Sequence, residues 1–307
     1  MDYLIICVKI LLIIIIINYK SGNHITIKND KNIKVCMCTI GKEENRYIRE
    51  FVKFYKRLGV DKIFLYDNND INDEHFEDVI IDYVDTNFVE IINWRGIERP
   101  HFSAFNNCYL SYNNKYDWLI FYDIDEYIHL TNYTNIKDFL NENKFNKCKK
   151  IYLNWVFHTD NDLVYYKKGP LKKRFPEIER DALINKNYMQ KVKSILRGNI
   201  SNFLISNHSH TSHVITDSVD ACNGFGKNIK LNFEYLMKNS DTKYFYIDHY
   251  YSKSTEEFVK KLNKGSAVNG QDEKFKLFRI FRYFNINKIK NNKFLYFLKN
   301  VKIKLEN

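Results

Sequence analysis

Proline and glycine are scarce, with 3 and 10 among 307 residues. That excludes collagen-like, Gly-rich and Pro-rich chains. No internal repeat is visible, so solenoids and arrays are excluded too. The six cysteines, Cys7, Cys36, Cys38, Cys108, Cys148 and Cys222, form no tight cluster. Cys36-Met37-Cys38 sets two thiols on one face of a strand, too close together for a CxxC metal loop. Buried free thiols are the expected state, with a Cys148–Cys222 disulfide as the alternative.

Apolar residues make up 45% of the chain, enough to bury a real core and exclude wholesale disorder. The length suits one large domain, or one and a half. The net charge of +11 is uneven. Lys253 to Asn307 holds 14 Lys/Arg and 5 Asp/Glu, a difference of +9, so the body before it is nearly neutral. A nucleic-acid-binding domain carries its positive charge on the folded body. No nucleic-acid partner is therefore expected.

Leu4 to Ile17 is apolar except for Lys9. No small-x-small cleavage site follows, so residues 1–20 are expected to be an uncleaved signal-anchor in the membrane. A cleaved signal peptide is the runner-up, and residues 21–32 read as a linker. With the rest luminal, Asn132, Asn199 and Asn207 would lie in glycosylation sequons.

From Ile33 an alternation begins. Strands are expected at Ile33–Ile40, Lys62–Tyr66, Phe88–Ile92, Asp117–Tyr122 and Lys150–Phe157. Helices are expected at Glu43–Leu58, where Ile48, Phe51, Tyr55 and Leu58 form one stripe, and at Glu74–Val84, His101–Asn113 and Asn135–Asn143. Gly59 ends the first helix. Continuous apolar strands alternating with helices imply an α/β fold with a mainly parallel sheet covered on both faces. Ligands bind such sheets beyond the carboxyl ends of the strands. The residues to inspect are therefore Thr39–Glu44, Asp67–Asp70, Asn93–Arg99, Asp123–Glu126 and His158–Asp162.

Asp123-Ile124-Asp125-Glu126 directly follows the fourth strand. In an extended segment Asp123 and Asp125 point the same way while Ile124 enters the core. Two such carboxylates repel unless a cation joins them. Oxygen ligands favour Mg²⁺ or Mn²⁺, and an ion with open positions suits a diphosphate.

Val35–Asn45, Tyr47–Phe51, Gly59–Asn69 and Asp117–Glu126 together resemble the glycosyltransferase family 2 / family 92 type, over roughly Ile33 to Lys264. So do Asn154-Trp155, Lys193-Ser-Ile195 and His249-Tyr-Tyr-Ser-Lys253. The familiar motif after the fifth strand has a Gly near His158, where this chain has His158-Thr-Asp-Asn-Asp162. The resemblance implies a GT-A fold over 33–265 and a metal-dependent transfer of a sugar from a nucleotide-diphosphate sugar to a glycan or protein-linked acceptor. A UDP-sugar, an inverting course and a hexosyl or N-acetylhexosaminyl group are expected. It implies Asp123, Asp125 and His249 as metal ligands. Thr39, Glu44, Asp67, Lys193 and Lys253 are expected around the donor. Asp160 or Glu126 is expected as general base, with Asp162 a further candidate and Trp155 stacking on a sugar face.

His208, His210 and His213 have the spacing of a zinc strand, or belong to a loop closing over the donor. Residues 266–307 read as a basic amphipathic helical tail, packed on the domain or lying on a membrane. The competing functions are a membrane-tethered, non-catalytic glycan-binding module and a nucleotidyltransferase on a similar sheet.

Overall fold

The computed structural model describes residues 32–179, 191–200, 220–229, 243–265, 272–288 and 290–301. The apolar segment 4–17, His208–His213 and the Asn207 sequon lie outside the described residues. Among the described residues no helix is long and apolar enough to cross a membrane.

The first half matches the expected alternation. Strands β1 (Val35–Gly41), β2 (Lys62–Asp67), β3 (Val89–Asn93) and β4 (Trp118–Phe121) lie parallel in the order β3-β2-β1-β4. Helices α1 (Asn45–Arg57), α2 (Glu77–Asp85) and α3 (His101–Tyr112) connect them. Alternate residues of β1 feed two cores, as the period of a strand requires. Val35 and Met37 join Ile48, Phe51 and Tyr55 of α1. Cys36, Cys38 and Ile40 join Ala104, Phe105 and Cys108 of α3. Gly59 ends α1 with φ +91, a left-handed conformation that glycine adopts without strain.

In the second half, antiparallel pairings enter the mainly parallel sheet. Strand β7 (Val192–Arg197) runs antiparallel between β4 and β6 (Lys150–Phe157). The first half of β6 pairs with β8 (Ala221–Asn223), and its second half with β9 (Phe245–His249). Strand β5 (Glu126–Leu130) pairs antiparallel with β9. Short helices α4 (Ile136–Leu140) and α5 (Leu171–Arg174) fill the connections.

Helix α6 (Thr255–Asn263) starts at Ser254 with a full capping box to Glu257. Helices α7 (Glu273–Ile286) and α8 (Asn291–Asn300) form the tail. The tail packs on the domain: Tyr283, Ile286 and Phe297 are buried in the main core. Leu277, Phe281, Leu295 and Leu298 remain exposed.

The expectation of free thiols is corrected. Cys38 lies on the α3 side of β1, opposite Cys108, and the two form a disulfide with Cα atoms 6.3 Å apart. Cys148, at the entry to β6, is bonded to Cys222 of β8. Cys36 is free and buried.

Candidate functional site

The carboxyl ends of β1, β4 and β9 meet the start of β5 and helix α6, and the acidic cluster sits among them. Residues 123–125 are not extended as expected. The chain turns at Ile124 and Asp125, with Glu126 N–H donating to Asp123 O at 3.0 Å. Ile124 still enters the core. Its terminal methyl fits because residue 41 is glycine; a Cβ there would come within 2.5 Å of it.

The turn sends the two aspartates to different partners. Asp123 Oδ2 accepts from Lys193 Nζ of β7 at 2.8 Å, and Oδ1 lies 3.2 Å from His101 Nε2 at the start of α3. Burial pushes the Asp123 carboxyl up, but Lys193 and His101 outweigh it and hold it well below the ordinary range. Asp125 Oδ2 accepts from Lys261 Nζ of α6 at 2.5 Å. Its Oδ1 lies 3.6 Å from His249 Nε2. Burial is again outweighed, here chiefly by Lys261, and the Asp125 carboxyl is lowered.

Glu126 opens β5 directly across from His249, the last residue of β9. Asp125, Glu126 and His249 each bring a ligand atom within 4.8 Å of the others. Glu126 Oε2 accepts from the Asp123 N–H at 3.1 Å and lies 3.4 Å from Lys193. Glu126 Oε1 and His249 Nδ1 are buried without a hydrogen-bond partner. Such orphaned atoms are costly unless something binds them. Burial drives the Glu126 carboxyl well up and the His249 imidazole down to about 3. Rings of Trp155 and Phe157 hold the imidazole, with centroids 4.6 and 5.1 Å away.

Two carboxylates and a neutral imidazole form an O,O,N set suited to Mn²⁺ or Mg²⁺. Two of the three expected ligands, Asp125 and His249, are in it. Asp123 is outside it, and Glu126, expected as a base, is inside.

The remaining expected residues divide. Glu44 Oε1 accepts from Lys264 at 2.7 Å, and Oε2 lies 3.6 Å from Lys253. Lys253 is buried with φ +51, a conformation strained for a non-glycine residue, and its ammonium rests 3.6 Å above the Tyr47 ring. Thr39 is buried on β1, with its hydroxyl lacking a hydrogen-bond partner. Lys193 is a buried counter-ion to Asp123 and Glu126 rather than a cation at the mouth. Asp67 Oδ1 caps the turn at Asn69, and Oδ2 pairs with Arg95 at 2.6 Å.

Asp160 does not face the site. Tyr283 and Lys293 of the tail bind its carboxylate at 2.5 and 2.8 Å. Both oxygens, expected to serve a general base, are occupied by these partners. Asp162 is tied to Lys290 and Lys293. Trp155, only 4% exposed, packs on His249 instead of offering a sugar platform. Sequence reasoning missed Lys261, Lys264 and His101. Two of these are lysines in a lysine-rich helical stretch, and nothing local marks them.

The sequence profile of Glycosyltransferase family 92 matches residues 31–291. The chain belongs to glycosyltransferase family 92. A family 92 protein of Ricinus communis is 28% identical over 113 residues, covering 36% of this chain and 20% of the relative. One from Oryza sativa subsp. japonica is 29% identical over 108 residues, covering 34% and 18%. The matched stretch thus spans about a fifth of these family 92 relatives. Among solved structures, S. aureus TarS 1–349 in complex with UDP-GlcNAc aligns at 11% identity and a TM-score of 0.41, covering 88% of this chain and 82% of that one. The family's profile reaches beyond residue 265 into the tail, where Tyr283 and Ile286 are core residues.

Proposed function

We propose that this chain transfers a sugar from a nucleoside-diphosphate donor, with UDP-sugars the first to test, to a hydroxyl of a glycan or protein-linked acceptor. The observation that carries the reading is the cluster of Asp125, Glu126 and His249, with ligand atoms within 4.8 Å and two of their polar atoms orphaned, in a family 92 chain. These three residues would hold Mn²⁺ or Mg²⁺, which would supply the positive charge that a leaving diphosphate requires. Lys193 and His101 fix Asp123, and with it the turn that aims Asp125. Lys253 and Lys264 neutralise Glu44 at the edge of the same site.

The two buried disulfides favour an oxidising compartment. We place the catalytic part in the secretory lumen or outside the cell, which suits a signal-anchor at residues 4–17. The reading is tested by nucleoside diphosphate release from a panel of nucleotide sugars, with Mn²⁺ and with chelator. Release from at least one donor, dependent on Mn²⁺, is expected. No release from any donor under either condition would overturn it.

A further inference from the structure

Helix α6 and its C-cap residue Lys264 present lysines to three acidic residues. Lys260 reaches Glu43 at 3.2 Å, Lys264 reaches Glu44, and Lys261 reaches Asp125 at 2.5 Å. Of these acids Asp125 alone belongs to the ligand cluster. One of its oxygens faces His249; the other is taken by Lys261.

An ammonium and a divalent cation cannot share one carboxylate at close range without strong repulsion. Lys193, at 3% exposure on a central strand, is fixed between Asp123 and Glu126. Lys261 differs: its side chain is 21% exposed and lies near the carboxyl end of a helix at the edge of the site. It can leave Asp125 for solvent or for an anion beside it. The anion that the proposed donor brings to this place is its diphosphate.

We propose that Lys261 is the resident counter-ion of Asp125, competing with the divalent cation for that carboxylate and pairing with the donor diphosphate once displaced. The inference rests on the reading of Asp125 as a cation ligand. Lys261 thereby balances the Asp125 charge before the cation binds, and cation and diphosphate favour each other's binding because the same lysine answers to both.

The test uses the full chain and the variants Lys261→Met, Lys261→Arg and Lys260→Met. Binding of Mn²⁺ alone is measured by titration calorimetry or by the free-Mn²⁺ electron paramagnetic resonance signal. Binding of UDP is measured at saturating Mn²⁺. Removing the lysine charge is expected to tighten Mn²⁺ binding by about tenfold and to weaken UDP by about tenfold. Lys261→Arg, which keeps the charge, stays within about threefold of wild type on Mn²⁺. Lys260→Met, whose native ammonium pairs with Glu43 and Glu74, changes neither.

Unchanged or weaker Mn²⁺ binding in Lys261→Met overturns the proposal, as does tighter Mn²⁺ binding in Lys261→Arg or undiminished UDP affinity in Lys261→Met. A wild type that binds no Mn²⁺ at all instead overturns the reading of the Asp125 cluster on which it rests.

Discussion

Lys293 and Asp160 form an ion pair at 2.8 Å, with side chains 1% and 2% exposed. It joins the tail helix α8 to the loop after β6, across 133 residues of sequence. Tyr283 adds a hydrogen bond to the same carboxylate. Lys293→Met leaves the Asp160 charge buried and short of its cation, and is expected to cost about 3–5 kcal/mol. Urea unfolding of the two proteins checks this. A variant as stable as wild type would show that this ion pair does not hold the tail to the domain.

The disulfide Cys38–Cys108 staples β1 to α3 beneath the site. Replacing both cysteines with serine is expected to lower stability by about 2–5 kcal/mol. Thermal melting with and without a phosphine reductant reads the effect in wild type, and the double variant should be insensitive to reductant if Cys148–Cys222 is also removed.

Gly41 faces Ile124 and Phe76, and an added Cβ would meet them at 2.5 and 2.8 Å. Gly41→Ala therefore pushes on the residue between the two aspartates. Overpacking of this kind costs about 1–3 kcal/mol. The loss in sugar transfer is expected to exceed what that destabilisation explains, because the turn itself is displaced. Comparing kcat with the melting temperature separates the two.

Glu257 caps α6 and is gripped by Arg174, Ser254 and Tyr47. Burial raises its carboxyl, but these donors prevail and leave it lowered. A carboxylate depressed on folding contributes stability that is complete above its unfolded pKa, near ~4.3, and is lost as pH falls through the folded value. The melting temperature should thus fall as pH drops from 5 toward 3 (about the carboxylate range). Glu257→Gln should start lower at neutral pH and change less across the same range. An equal slope in both proteins would remove Glu257 from the explanation.

The legible part of this fold is its parallel half. Strands β1 to β4 and β6 are apolar runs long enough to be read without neighbours. Strands β5, β7, β8 and β9 are short or mixed, as in Glu126–Leu130 and Phe245–His249, and exist because β6 and β9 pair with them. Asp125 and His249 were legible as members of the cluster, since an acid after a strand and a histidine in a familiar motif carry local signals. Glu126 was read as a base because only register shows that it faces His249. Asp160 looked free because its partner lies 133 residues later. Cys38 and Cys108 are 70 residues apart, and no local pattern links them.

Nucleoside diphosphate release from the best sugar donor, followed in wild type and in Asp125→Asn with Mn²⁺ and with chelator, bears on the whole reading. Wild type should turn over only with Mn²⁺, and Asp125→Asn should fall by about a hundredfold or more while keeping its fold. Turnover by wild type that ignores the chelator, or an Asp125→Asn protein as active as wild type, would contradict it.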